Sequence, residues 1–242
     1  MADKRRFANG NFYHVYNRGV EKRKICMDDK DRFRFVHDLF ELNDHNAVMN
    51  ALFYSQRNAA IDSIHGERQG KHTVTPKREC VVDIVAWALM PNHYHFLLRQ
   101  RMEGGVSLFM KKLGGGYTLY FNQRHHRSGV LFQGTFKAKG ITGDSYLRHL
   151  VSYIHANPKD LMLEQAKGRN GMSATTRERA LRRYRWSSYR DYAGEKNFPS
   201  VLNGALLRDL GFSFGRAQQG NMRDWLGVWD QREKDLQDFL LD

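Results

Sequence analysis

A hairpin of two apolar strands, residues 80–89 and 93–99, constrains the fold of this 242-residue chain more than any other segment. The first strand is apolar almost throughout, which is typical of a central strand in a sheet. Residues 90–92, Met-Pro-Asn, turn the chain back. Side chains alternate along the second strand, so His93 and His95 share one face while aromatic and aliphatic residues face a core. The hairpin therefore predicts an antiparallel sheet with two imidazoles side by side.

The segments around the hairpin follow the order expected for an α+β sandwich. We predict a strand at 11–18, helices at 28–43, 106–124 and 145–157, and a strand or hairpin at 130–141. Alternation in the first strand places His14, Tyr16 and Arg18 on one face. A mostly antiparallel central sheet with helices on one face accounts for this order. The three glycines at 114–116 predict an interruption of the second helix.

Composition divides the chain into a main domain and an extension. We expect residues 1–163 to form the main domain, with a polar, weakly patterned insertion at 44–78. Residues 164–242 then form a mostly helical C-terminal extension whose role the sequence does not reveal, with short helices predicted at 203–211 and 221–240.

Charge is the strongest signal in the composition. The chain has 39 lysines and arginines against 26 acidic residues, which gives a formal net charge of +13. Such an excess favours polyanions, because neutralised phosphates release their counterions. Aromatic residues make up 12% of the chain, and exposed rings can stack on unpaired bases. We therefore expect a nucleic-acid partner, the alternative being a basic protein whose charges are simply solvated.

Nine basic residues are candidates for contact with nucleic-acid phosphates. They are Arg18, Lys22, Arg23, Lys24, Lys111, Lys112, Arg124, Lys137 and Lys139. Taken singly, each of them is also explained as a solvated surface charge.

Other features favour a cytoplasmic protein without a membrane partner. No apolar run approaches the length of a membrane span, and the first six residues lack the apolar core of a signal peptide. Cys26 and Cys80 form no metal or redox motif, which suits a reducing compartment.

The helix predicted at 145–157 carries residues that can meet the two imidazoles. Its apolar positions recur at i, i+3, i+4 and i+7, which places one stripe on the core. At about 100° per residue, Tyr153 and Asn157 lie together on one shoulder of that stripe, and His155 projects from the opposite shoulder. The helix can therefore bring a phenol and an amide oxygen toward His93 and His95.

These residues suit metal-assisted transfer of a phosphoryl group. His93, His95 and the Asn157 oxygen would supply three ligands, and this mixed set of nitrogen and oxygen favours Mg²⁺ or Mn²⁺. Tyr153 would then be the nucleophile and form a covalent phosphotyrosine intermediate. Each residue alone has another interpretation: Tyr153 as a packing aromatic, Asn157 as a helix terminator before Pro158, and the histidines as polar residues of an edge strand.

Several separated motifs occur in the order of a known family. They are Tyr16-Asn17-Arg18-Gly19, Leu89-Met90-Pro91-Asn92-His93-Tyr94-His95, the region from Lys112-Leu113 to Phe121, Leu131-Phe132-Gln133-Gly134, and Tyr153-Ile154-His155-Ala156-Asn157-Pro158. Together they resemble the single-tyrosine transposases of the HUH class, and among these the REP-associated tyrosine transposases. The resemblance spans about residues 11–192.

The resemblance implies a ferredoxin-like core that carries the histidine pair on its central sheet. It implies that His93 and His95 bind the metal, that Asn157 is an amide-type third ligand, and that Tyr153 is the nucleophile. It further implies a metal-dependent single-stranded DNA endonuclease and strand transferase that acts on hairpin-containing repeat DNA. Such an enzyme leaves a 5′-phosphotyrosyl link and a free 3′-hydroxyl, and rejoins strands by the reverse attack without ATP.

Other functions compete with this interpretation. The main alternative is a non-catalytic, domesticated protein that binds structured DNA on the same scaffold. A metal hydrolase with water as its nucleophile, or a replication initiator or relaxase of the wider HUH class, would share part of the site. The sequence leaves open the DNA sequence and hairpin, the metal and the mobility of the element. The insertion and tail favour a monomer over a dimer.

Overall fold

The computed structural model describes residues 7–46, 78–158 and 173–240 of the chain. Its strands are β1 (Phe12–Arg18), β2 (Val82–Leu89), β3 (His93–Gln100) and β4 (Lys137–Ile141). Its α-helices are α1 (Asp29–Glu41), α2 (Gly105–Arg124), α3 (Asp144–Ala156), α4 (Ala174–Arg183), α5 (Tyr189–Tyr192), α6 (Gly204–Asp209) and α7 (Arg216–Leu240). Short 3-10 turns lie at Val20–Lys22 and Pro199–Val201.

The four strands form one antiparallel sheet in the order β2–β3–β1–β4. With α1 between β1 and β2, and α2 between β3 and β4, this is the βαββαβ arrangement of a ferredoxin-like sandwich. The prediction of an α+β fold with an antiparallel central sheet and helices packed on it is confirmed. The pairing places His93 opposite Arg18 and His95 opposite Tyr16.

Helices cover both faces of the sheet, so the prediction of helices on one face is wrong. On one face, β3 packs against α1 and α2 in a core that includes Phe35, Phe96 and Phe109. On the other face, Leu97 and Leu150 belong to a second core, between the sheet and α3. Because α1 and α2 already fill the first face, the apolar stripe of α3 is buried against the second. Leu97 is on the same face as the two histidines, so α3 packs on the face that carries them.

Local sequence explains where α1 begins, whereas packing decides the course of α2. Asp28 caps α1, because its carboxylate accepts a hydrogen bond from the backbone N–H of Asp31 at 3.1 Å. Helix α2 runs without a break through residues 114–116, so the predicted interruption is wrong. A Cβ added at Gly116 would lie 3.3 Å from the side chain of Leu42. At that position glycine permits a close approach, and the buried stripe of α2 keeps the helix continuous.

Two further segments differ from the sequence interpretation. Of residues 130–141, only the last five form a strand, and Phe132 makes a single bridge with Gly19. Helix α4 was not predicted, and Ser173 caps it by accepting a hydrogen bond from the backbone N–H of Thr176 at 3.2 Å.

Within the described ranges, no helix combines the length and the apolar character that crossing a membrane requires.

The C-terminal elements pack onto the sheet. Ser187 forms an isolated bridge with Ala88 on β2, and Oγ of Ser188 accepts a hydrogen bond from the backbone N–H of Trp87 at 2.9 Å. Tyr192 is buried in the second core. This part of the chain therefore covers the edge strand β2. The predicted boundary between residues 163 and 164, and most of the insertion at 44–78, lie outside the described residues, so the division into domains stays a prediction.

Candidate active site

Two imidazoles lie side by side at the start of β3. The ring centroids of His93 and His95 are 5.2 Å apart. His95 is buried, whereas His93 is partly exposed beside the turn that precedes β3. The Tyr16 ring stacks beside His95, with centroids 5.7 Å apart. The sheet thus presents the histidine pair on one face, with one ring open to ligands and one inside.

A third imidazole, that of His14 on β1, lies behind His95. Its Nε2 is 2.9 Å from Nδ1 of His95, a hydrogen-bond distance. Burial, together with the positive charge of Lys139, lowers the pKa of His14 to about 3, so this ring is neutral at pH 7. The hydrogen bond occupies Nδ1 of His95 and leaves Nε2 as the nitrogen that can bind a ligand.

Hydrogen bonds also orient His93. Its Nδ1 lies 2.7 Å from Oδ1 of Asn92, and its ring forms a further hydrogen bond with the side chain of Asn157. Nδ2 of Asn157 donates to the backbone carbonyl of Tyr153 at 3.4 Å. The structure therefore brings His93 and Asn157, two of the three predicted metal ligands, into contact at the end of α3.

Both histidines of the pair have lowered pKa values. For His93 the main cause is burial; the charge of Arg18 lowers the pKa further, and the hydrogen bond with Asn157 opposes the shift. Burial, followed by the neighbouring His14 and His93, holds the pKa of His95 well below 6.5. Both rings are therefore neutral near pH 7, which is the form of imidazole that binds metals.

Helix α3 places Tyr153 against the imidazoles. Its ring centroid lies 5.9 Å from that of His95 and 6.3 Å from that of His14, edge to face in both cases. The Tyr153 side chain is 9% exposed and belongs to the second core. It is thus both a neighbour of the histidines and a packing residue.

His155 points away from this site. Its ring is fully buried, and Nε2 lies 2.8 Å from Oγ of Ser188 on the far side of α3. In the part of the chain that the structure describes, no group of three or more His, Cys, Asp or Glu side chains is arranged to hold a metal. A further side chain that the structure places against the histidine pair is the amide of Asn157.

Basic side chains flank the histidine pair on the same face of the sheet. Arg18 lies opposite His93, and its Nε donates to Oε1 of Gln133 at 2.6 Å. Lys137 and Lys139 of β4 lie across β1 on its other side, and Nζ of Lys137 is 5.9 Å from the centre of the Tyr16 ring. Because directly paired residues share a face, these charges surround the entrance to the site.

Other predicted phosphate contacts have partners within the protein or lie elsewhere. Arg124 forms salt bridges with Asp28 at 2.6 Å and with Asp31. Nζ of Lys112 donates to two backbone carbonyls, at 2.5 and 2.9 Å. These contacts within the protein account for the charged side chains of Arg124 and Lys112 without a role in DNA binding. The remaining candidates are Lys22, Arg23 and Lys24 in the segment after β1, and Lys111 on α2.

His14 is a site residue that the sequence analysis did not assign. The alternation of β1 already puts it on the face of Tyr16 and Arg18. What was missing is the register of β1 against β3, which places its ring behind His95. The available signal in the sequence was that β1, like β3, carries a histidine.

A comparison with protein families matches part of this chain. Residues 47–157 match the model of the family described as "Transposase IS200 like". The matched range contains the histidine pair, Tyr153 and Asn157. No curated protein matches the chain significantly.

Two solved structures show weak likeness to this one. A REP-associated tyrosine transposase bound to a REP hairpin is 15% identical with a TM-score of 0.43, over 84% of this chain and 92% of that one. A protein of Deinococcus radiodurans R1, described as a transposase, is 14% identical with a TM-score of 0.32, over 64% of this chain and 95% of that one. With TM-scores below 0.5, neither likeness establishes the fold or the activity of this chain.

Proposed function

We propose, from the match of residues 47–157 to the family described as IS200-like transposases, that this chain cuts and rejoins single-stranded DNA through Tyr153. The supporting observation is the meeting of Tyr153 with His95, 5.9 Å apart between ring centroids, where His93 also contacts Asn157. One face of the sheet thus gathers a nucleophile, candidate metal ligands and positive charge. The activity that fits this combination is that of a metal-dependent endonuclease and strand transferase.

The donor set fits a divalent metal. Nδ1 of His95 is engaged by His14, which leaves its Nε2 as a donor. The His93 ring is hydrogen-bonded to both Asn92 and Asn157, and its contact with Asn157 would give way to an ion that the two residues share. Asn157 would add an amide oxygen, and neutral imidazoles with oxygen donors suit Mg²⁺ or Mn²⁺. When bound, such an ion polarises a phosphoryl oxygen and orients the phosphate for in-line attack.

Tyr153 supplies the nucleophile in this proposal. Its phenolic oxygen attacks phosphorus, and the new O–P bond forms as the P–O3′ bond breaks. The downstream strand is then held as a 5′-phosphotyrosine, while the 3′-oxygen takes up a proton. A 3′-hydroxyl of a second strand attacks the same phosphorus, the bond to the tyrosine breaks, and the phenol regains a proton. The number of phosphodiester bonds is unchanged, so no ATP is consumed.

The proposed substrate is single-stranded DNA that contains hairpins, as in REP elements. The supporting feature is the set of positive charges around the histidine pair, from Arg18, Lys137 and Lys139. Such charges bind phosphates without reading sequence, so the choice of hairpin rests on other contacts. We further propose that the protein works in the cytoplasm as a monomer, with a dimer as the alternative.

An adduct assay with Tyr153→Phe tests the proposal. Hairpin oligonucleotides labelled at the 3′ end are incubated with protein and Mg²⁺ or Mn²⁺, and separated on denaturing gels. We expect labelled, SDS-resistant protein from the wild type and none from Tyr153→Phe, with DNA binding retained. Oligonucleotides labelled at the 5′ end should release a shortened free strand, because the protein joins the downstream fragment.

Tyr120→Phe is a matched control, since Tyr120 is a tyrosine of α2, the helix on the opposite face of the sheet. It should form the adduct as the wild type does. An adduct of equal strength from Tyr153→Phe would remove Tyr153 from its role. Cleavage without an adduct would favour a hydrolase that uses water, and binding without cleavage under either metal would favour the non-catalytic DNA-binding protein.

A further inference from the structure

A cavity of about 940 Å³ lies between α3 and the C-terminal elements. Its volume is within the range of about 300–1,000 Å³ that is typical of ligand sites. The described residues that line it include three aromatic side chains, Tyr146, Phe212 and Trp225, and no carboxylate. The described lining therefore offers flat aromatic surfaces without an acidic anchor for a cation.

Contacts between its two walls shape this cavity. Nε1 of Trp225 on α7 donates to Nδ1 of His149 on α3 at 3.2 Å. Arg148 on α3 donates to two backbone carbonyls after α6, at 2.8 and 3.0 Å, and its guanidinium lies 5.3 Å from the centre of the Phe212 ring. The walls are thus held at a fixed separation by polar and aromatic contacts at their rim.

Gln218 contributes a mostly buried polar side chain to the cavity. Its side chain is 5% exposed and lines the cavity. Within the described part of the chain its amide has no hydrogen-bond partner, whereas the neighbouring Gln219 donates to the carbonyl of Ala193 at 2.9 Å. An amide that lines a cavity and has no partner among the described residues is available to hydrogen-bond a ligand there.

We propose that the cavity receives one unpaired nucleobase of the DNA strand, with the Gln218 amide hydrogen-bonded to the edge of that base. Aromatic walls stack on the face of a base regardless of its sequence. An amide presents one donor group and one acceptor, the combination that base edges require. The described residues of the lining include no carboxylate that would repel the attached phosphate. This inference rests on the proposed function, because it assumes that single-stranded DNA is the substrate.

Helix α3 connects the cavity with the proposed nucleophile. His149 and Ser152 line the cavity, while Tyr153 faces the imidazoles. His149 and Tyr153 are about one helical turn apart, which is about 6 Å along the axis. A base held in the cavity would therefore set the register of the strand and select which phosphate reaches Tyr153.

Binding of twelve-nucleotide strands by Gln218→Leu tests this inference. The probes are dA12, dC12, dT12, d(GT)6 and an abasic 12-mer, measured by fluorescence anisotropy at fixed ionic strength. EDTA is present, so the assay requires neither metal nor cleavage. We expect Gln218→Leu to lose about tenfold in affinity for at least one base-bearing strand. Its affinity for the abasic strand should stay within twofold of the wild type, because phosphate contacts are intact.

Gln123→Leu is the matched control, since Gln123 is exposed on α2, and it should bind every probe as the wild type does. Gln218→Met provides a second apolar replacement, and thermal unfolding confirms that both variants fold. Wild-type affinity of the Gln218 variants for all base-bearing strands, or an equal loss on the abasic strand, would overturn the inference. Neither result bears on the covalent adduct, so this failure is distinguishable from failure of the proposed function.

Discussion

Nε2 of His14 lies 2.9 Å from Nδ1 of His95, so β1 supplies the partner that orients a candidate metal-binding imidazole on β3. A neutral imidazole carries a single proton. When His95 carries that proton on Nδ1 and donates it to His14, its Nε2 keeps the lone pair that a metal needs. In the opposite arrangement Nε2 of His95 is protonated and cannot bind. In the proposed site, metal binding at His95 would therefore be coupled to His14 as a hydrogen-bond acceptor.

Replacement of His14 by phenylalanine should weaken metal binding about 10- to 100-fold, because the acceptor that orients His95 is lost. Electron paramagnetic resonance of free Mn²⁺ measures this affinity without DNA or catalysis. His14→Gln should retain most of the affinity, since its amide oxygen can accept the same proton. Long-range ¹⁵N correlation spectra of the wild type should show the Nδ1–H form of His95 when metal is bound. Equal Mn²⁺ affinity in His14→Phe and the wild type would exclude this role.

Lys137→Gln and Lys139→Gln should weaken binding of single-stranded DNA without changing sequence preference, because both residues flank the site on the exposed edge strand β4. For single strands, each lost phosphate contact lowers the slope of log affinity against log salt by about 0.7. Anisotropy titrations over a range of salt concentrations measure this slope. Lys30→Gln, at an exposed position on α1, is the control with an expected wild-type slope. An unchanged slope in the double variant would place the DNA elsewhere.

Asp83→Asn should reduce stability at pH 7 by about 1–2 kcal/mol, a modest loss because the arginine partners are partly exposed. The Asp83 carboxylate accepts hydrogen bonds from Arg99 and Arg101, each at 2.8 Å, and from Asn203 at 2.7 Å. Burial raises the pKa of Asp83, but these three partners outweigh it and hold the pKa below 3.8.

Because the folded pKa is lowered, this stabilisation is present above about pH 3.8 and disappears as pH falls through the folded value. Urea unfolding of both proteins from pH 7 to pH 3 measures the difference. The two stabilities should converge below pH 3.8, as the wild-type carboxyl takes up its proton. A constant difference down to pH 3 would show that the charge of Asp83 contributes nothing.

The sequence predicted the sheet better than it predicted the helices. Alternation along β3 identified the buried face, and Tyr94, Phe96 and Leu98 do lie in the first core. Such alternation is a local property of a strand. The continuity of α2 through residues 114–116 depends instead on packing against the core, which overrides the low helix propensity of glycine. The face covered by α3 likewise depends on which surfaces the earlier helices had already filled.

Within the site, helical periodicity in the sequence is sufficient to predict that Tyr153 and Asn157 lie together at the end of α3. The role of His14 required the register between two strands far apart in the chain, which alternation alone does not provide. The same limit applies to Arg124, a predicted phosphate contact that forms salt bridges with α1 instead. Residue type and the periodicity of a segment identify candidate site residues. The pairing of segments far apart in the chain decides which of these residues lie close together.

Peptide mapping of the covalent adduct tests the central claim most directly. Wild-type protein is reacted with a hairpin oligonucleotide and Mn²⁺, the DNA is trimmed with nuclease, and tryptic peptides are sequenced by tandem mass spectrometry. The peptide that spans residues 149–159 contains one tyrosine, Tyr153. We predict a nucleotide phosphate on that tyrosine. A nucleotide on another residue, such as Tyr16, whose ring also lies beside His95, would contradict the account.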